Sequence, residues 1–189
     1  MNLIYDHLSA TILSIAIFFI LVIIQVRSGE TTQDQTRYYS AKTHLLHVTE
    51  MLEHDLANVG AGVAMNDPVF ITKDDETLEF MALVYSEDEN PSKITYLRVA
   101  TEVVEIAGED VQFYEIHRLV DDVLTGRGPA TMREFEIELW DSNRQETTDF
   151  NAVETIHVEF VIAPPLGGDD GLHVARWSHT FRPANLSNF

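Results

Sequence analysis

The sequence predicts an α+β fold in which a long N-terminal helix packs on an antiparallel β-sheet. Three observations predict it. Leu8 to Val26 is an apolar run without a charge, Tyr38 to Val59 repeats apolar residues every three or four positions, and the remainder breaks into short alternating segments separated by turn residues.

The first run is long enough to cross a membrane. At ~1.5 Å per residue, roughly 19 residues reach ~28 Å, close to the ~30 Å hydrocarbon core of a bilayer. A cleaved signal peptide wants a basic start, a shorter apolar core and a small-residue cleavage site. Met1 to His7 holds no Lys or Arg, and the run ends in Gln-Val-Arg-Ser-Gly. A buried core helix of this length would carry a polar face. Residues 1–27 are therefore expected to be a retained transmembrane anchor. Arg27, Arg37 and Lys42 follow the span and no basic residue precedes it. By the positive-inside rule alone, that bias favours a cytoplasmic C-terminus, although Glu30 and Asp34 interrupt it.

Residues 28–62 read as an amphipathic stalk helix. Tyr38, Ala41, Leu45, Val48, Leu52, Leu56 and Val59 fall within an arc of about 80° at 100° per residue. Leu45, Val48, Leu52, Leu56 and Val59 are the expected packing face, with Glu50, Glu53 and His54 outside it. Ser28-Gly29 and Thr31-Thr32 mark the weak point of the helix, where it runs through with a kink or a short melted turn. Gly60 and Gly62 supply a left-handed end.

Residues 63–189 read as a β-rich head. Val69 to Thr72 and Thr77 to Tyr85 flank the turn Lys73 to Glu76, and Lys93 to Val99 and Phe113 to Leu119 are further strands. Thr101 to Ile106 is ambiguous. Val120 to Ala130 holds Gly126, Gly128 and Pro129 and is expected to form no regular element. Met132 to Trp140 alternates strictly, with Phe135, Ile137 and Leu139 on one face and Glu134, Glu136 and Glu138 on the other, so it is a half-buried strand with a wet acidic face. Glu154 to Ala163 repeats that pattern. Pro164 to Gly171 turns into a last strand, Leu172 to Phe181.

The chain has 189 residues, with 31 acidic against 12 basic side chains and a formal charge of −19. That balance argues against nucleic acid or an anionic lipid surface as a partner. The carboxylates are spread along the whole chain, as a solvated surface requires. With no cysteine, disulfides, thiolate metal sites and Cys nucleophiles are excluded. No Gly-x-Ser-x-Gly elbow, His-Glu-x-x-His pair or phosphate loop is present, so an enzyme is not expected. Candidate metal ligands are His44 and His47 on the stalk and Asp169 and Asp170 in the turn before the last strand. The latter offer oxygens of the kind Ca²⁺ takes, but no EF-hand spacing accompanies them and no resident cofactor is expected.

Several stretches carry a resemblance. The stalk ends Met51-Leu52-Glu53-His54-Asp55-Leu56-Ala57-Asn58-Val59-Gly60, the loop and strand Val120 to Asp141 and the strand Ile156 to Ile162 follow, and the tail reads Phe181-Arg182-Pro183-Ala184-Asn185-Leu186. Together they resemble the type IV pilin and type II secretion pseudopilin family, nearest to its larger minor members, the J-type pseudopilins and filament-priming minor pilins. The resemblance implies a pilin-like fold and a filament subunit that assembles through its N-terminal helix with itself or other pilin-like subunits. It also implies a single-pass protein of the cytoplasmic membrane whose head is extracytoplasmic, in a periplasmic or cell-surface filament.

That family carries a Gly before its cleavage point, a methylated first residue and a Glu at the fifth position. Here Tyr5 stands at the fifth position and Asp6 follows it. Counted from a mature N-terminus, Asp6 is expected to stand in for the acid that in the family pairs with a neighbouring subunit's N-terminal amine; with Met1 as initiator, the resemblance does not extend to processing. Ser9 and Ala16, seven residues apart, add small side chains on one face where helices approach closely. A membrane-tethered monomeric binding domain for an extracytoplasmic ligand or partner is the alternative reading.

The anchor has a direct consequence. After carbonate extraction and ultracentrifugation the protein is expected in the pellet, because about 19 apolar residues do not remain in water. A soluble full-length monomer would rule the anchor out.

Overall fold

The computed structural model describes residues 2–65, 67–85, 88–106, 108–163 and 174–188, and of residues 2–6, 9–10, 34, 37–38, 106 and 187–188 the backbone only. Helix α1 (Asn2–Ala57) is followed by strands β1 (Phe70–Lys73), β2 (Thr77–Ala82), β3 (Ser92–Ile106), β4 (Glu109–Val120), β5 (Val123–Arg127), β6 (Met132–Trp140), β7 (Thr155–Ile162) and β8 (Ala175–Phe181). Short 3-10 turns lie at Phe150–Ala152 and Ala184–Asn188. The protein is thus mixed α+β, with an N-terminal helix and a large antiparallel sheet. It divides into two compact units, Met1–Tyr39 and Ser40–Phe189, and α1 contributes to both.

In the first unit, Thr11–Gln33 is long and apolar enough to cross a membrane, with a mean hydropathy of 2.2, and its apolar side chains are exposed, Phe18 by 63 %. The helix is unbroken at Gly29. After it, Thr31, Thr32 and Thr36 donate their hydroxyls to the carbonyls of Arg27, Ser28 and Thr32 at 3.0, 2.8 and 2.8 Å. Each polar side chain is thereby satisfied on its own helix.

In the second unit the last turns of α1 lie on the sheet. Ala41, Val48, Leu52 and Leu56 are buried there with Phe80, Tyr96, Ile116 and Phe160, while Leu45 is half-buried against them. The helix ends at Ala57, short of the expected residue 62. Asn58 donates its side-chain amide to the carbonyl of His54 at 2.8 Å, which occupies one terminal acceptor. Val59 then bridges Ala82, and Gly60, at φ +77°, donates its N–H to Met81 at 2.9 Å. The chain therefore passes from helix to sheet edge within three residues.

The sheet has the order β1-β2-β3-β4-β6-β7-β8, with β5 paired to β4 off that path. Its turns follow local chemistry. The β1–β2 turn is held by the Asp74 carboxylate, which accepts the N–H of Glu76 at 2.9 Å and of Thr77 at 2.7 Å. Those two backbone donors lower the Asp74 carboxyl below its ordinary value. Residues 101 to 106 belong to β3, whose register with β4 shifts between Ala100 and Val103.

The expectation of no regular element over 120–130 is corrected by β5. Asp121 and Asp122 both adopt positive φ, 48° and 66°, in a two-residue hairpin loop, where Asp is one of the few side chains that tolerates that region. Lys93 secures the loop, pairing its Nζ with Asp122 at 2.6 Å and donating its N–H to Asp121 at 2.9 Å. Gly126 within β5 marks a close approach rather than a break: a Cβ there would lie 3.0 Å from the Met51 sulfur.

Strands β4 and β6 pair at one position, Tyr114 with Met132. Beyond it they diverge, and a groove of about 430 Å³ opens, lined by the β1–β2 turn, Arg98, Tyr114 and one side of β6.

Leu52 is fully buried in this core. Leu52→Ala is expected to destabilise the full-length protein by about 2–5 kcal/mol, from lost burial and the cavity left behind. The midpoint of urea denaturation checks this, and an unchanged midpoint would show that the side chain contributes nothing to the core.

Candidate functional site

Two features stand out once the fold is built: the exposed apolar helix, and an ionic cluster buried where α1 meets the sheet. Tyr5, Asp6, Ser9 and Ala16 all lie on α1. The side chains of Tyr5, Asp6 and Ser9 fall outside the described residues, and Ala16 is exposed. Of the stalk residues, Val48, Leu52, Leu56 and Val59 have no exposed surface, and Leu45 is half-buried.

The cluster centres on Asp55, which the packing arc of the stalk does not include. Its side chain is 1 % exposed. Arg118 of β4 grips it with two donors, Nε to Oδ2 at 2.5 Å and Nη2 to Oδ1 at 2.9 Å. The Tyr96 hydroxyl of β3 donates to Oδ2 at 2.7 Å, and His54 Nδ1 lies 3.1 Å from Oδ1. Arg118 is itself held by the Thr125 hydroxyl of β5, which accepts from Nη1 at 2.8 Å. One carboxylate thus joins the helix to β3, β4 and, through Arg118, β5.

The electrostatics follow from that geometry. Burial first, and then the adjacent Asp55 carboxylate, push the Tyr96 hydroxyl well above the ordinary phenol range, so it stays a donor. Hydrogen bonds to Asp55 raise Arg118 further and keep the guanidinium charged. Both carboxylate oxygens carry donors from the protein, and the group has almost no solvent surface. It is built as a clamp between helix and sheet. The arrangement is a bidentate fork, which fixes angle as well as distance.

Asp55 was legible as part of the Asp-Leu pair in the stalk motif, but its partners were not, because Tyr96 and Arg118 are 41 and 63 residues away in sequence. A second contact joins two more of the resembling stretches. Asn185 of the tail donates to the Val59 carbonyl at 3.4 Å, and its Cβ sits 3.4 Å from where a Cβ on Gly60 would be.

His44 and His47 are exposed on α1, and among the described residues no group of three or more His, Cys, Asp or Glu is placed to hold a metal. Asp169 and Asp170 lie outside the described residues.

Asp55→Asn leaves Arg118 beneath the helix without its anion, and is expected to lower stability by about 3–5 kcal/mol. The double variant Asp55→Leu with Arg118→Met removes both charges and is expected to lose less. Tyr96 supplies a pH signature. Its folded pKa is raised, so the stability from its hydroxyl is complete below pH ~10 and declines as pH climbs past it. Alkaline unfolding of wild type against Tyr96→Phe checks the sign: the two curves should converge at high pH, and parallel curves would contradict it.

Comparison of the chain with family models, with curated proteins and with solved structures finds no match.

Proposed function

We propose that this chain is a pilin-like structural subunit of a type IV pilus or type II secretion pseudopilus-type filament, assembling through its N-terminal helix. The observation that carries the reading is the contrast within α1. Its apolar span, Thr11–Gln33, is exposed throughout, whereas its last turns are buried in the core of the second unit. A helix that only anchored a domain would have lipid as its sole neighbour. A filament subunit buries the same surface against copies of itself, with heads outward and the protein inserted in the cytoplasmic membrane beforehand. Ser9 and Ala16 supply the close approach, and Asp6, beside Tyr5, supplies a charge that a neighbour's amine neutralises.

A second reading, a tethered monomer that binds a partner with its head, is favoured by the groove between β4 and β6. One variant separates the two. Asp6→Ala is expected to reduce recovery of the tagged protein in sheared filaments while its level in the membrane stays the same. Unchanged recovery at equal membrane level would remove the assembly role of Asp6 and favour the tethered monomer.

A further inference from the structure

Strand β6 has a free edge inside the sheet. Residues on an antiparallel strand direct their N–H and C=O alternately to either side, with a period of two. Two carbonyls show which residues of β6 face away from β7. That of Leu139 accepts from the N–H of Thr147 at 2.8 Å, and that of Phe135 from Arg98 Nη1 at 3.4 Å. Ile137 lies between them, so its N–H and C=O point the same way, as do the N–H groups of Phe135 and Leu139. Strand β4, which would complete the ladder, pairs with β6 only at Tyr114 and Met132. Among the described residues, the Ile137 backbone groups have no hydrogen-bond partner on that side.

The groove over this edge has a distinct charge. Seven carboxylates and three basic side chains line it. Glu136 and Glu146 are exposed and have no ion-pair partner among the described residues. Arg98 spans the groove, its guanidinium 4.8 Å from the Tyr114 ring centroid, but its bond to Phe135 is long and its Nε has no partner among the described residues. Arg98 thus occupies one acceptor of the edge weakly.

From these observations we infer that the groove is a β-augmentation site for an extended, basic peptide segment of a partner protein. The segment adds as a strand along Phe135 to Ile137, takes up the Ile137 N–H and C=O, and displaces Arg98 from the Phe135 carbonyl. Its lysines or arginines lie against Glu136 and Glu146. Backbone pairing supplies affinity, and the acidic rim selects charge. The site is independent of the filament reading and serves an assembled subunit or a tethered monomer alike.

The test uses full-length protein in non-ionic detergent micelles and a fluorescent peptide of about seven residues alternating lysine and valine. Two further peptides carry glutamate for lysine, or N-methyl groups on alternate amides. The lysine peptide is expected to bind by anisotropy and to slow hydrogen exchange at the Ile137 amide. N-methylation should weaken it at least about tenfold, since it removes several backbone hydrogen bonds. Glu136→Gln with Glu146→Gln should weaken it as well, and the glutamate peptide should not compete. Failure of the lysine peptide to bind would overturn the proposal. Equal binding of its N-methylated form, or unchanged Ile137 exchange at saturation, would also overturn it, because the attraction would then be charge alone.

Discussion

A carboxylate cannot be removed from water at the foot of a helix unless several donors replace the water, and that requirement at Asp55 organises the second unit. Arg118 and Tyr96 meet it together, with the Arg118 fork setting the angle. Apolar packing alone tolerates rotation of a helix on a sheet, since Leu52 and Leu56 would bury nearly as much surface after a small turn. The ionic fork does not. With Asp55 fixed, Val48, Leu52 and Leu56 are directed at the core and Glu50 and His54 at solvent. Stability by itself would be served as well by an apolar trio of similar volume, so orientation is what the buried charge adds.

The same region explains the shape of the sheet. Strand β5 folds back on β4 beneath the helix, with Gly126 under the Met51 sulfur and Gly128 beside Val48. It takes up the β4 edge from His117 to Val120, and β6 joins β4 on the other side of that stretch, at Tyr114 with Met132. The exposed span in the first unit carries a separate demand: surface of that length and hydropathy needs lipid or other helices around it.

What the sequence determined by itself was whatever depends on short-range periodicity. The length of the apolar run, the three-and-four spacing from Leu45 to Val59 and the strict alternation of Met132 to Trp140 each reflect a repeat of the backbone, so each can be read without knowing its neighbours. The α+β class follows from them. Turn chemistry was only partly legible. Asp121-Asp122 is the loop the sequence suggested, but Val123 to Arg127 was read as irregular too, because Gly126 and Gly128 looked like breakers and nothing local announced that a strand would need Gly126 to pass under Met51. Tertiary structure alone decided the pairing of Asp55 with Arg118 and Tyr96, the meeting of Asn185 with Val59, and the open edge at Ile137. These join residues far apart in the chain, and a composition or a period holds no term for distance in space. Whether a polar side chain is solvated surface or a buried clamp is settled by its environment, which exists only once the sheet has closed around it.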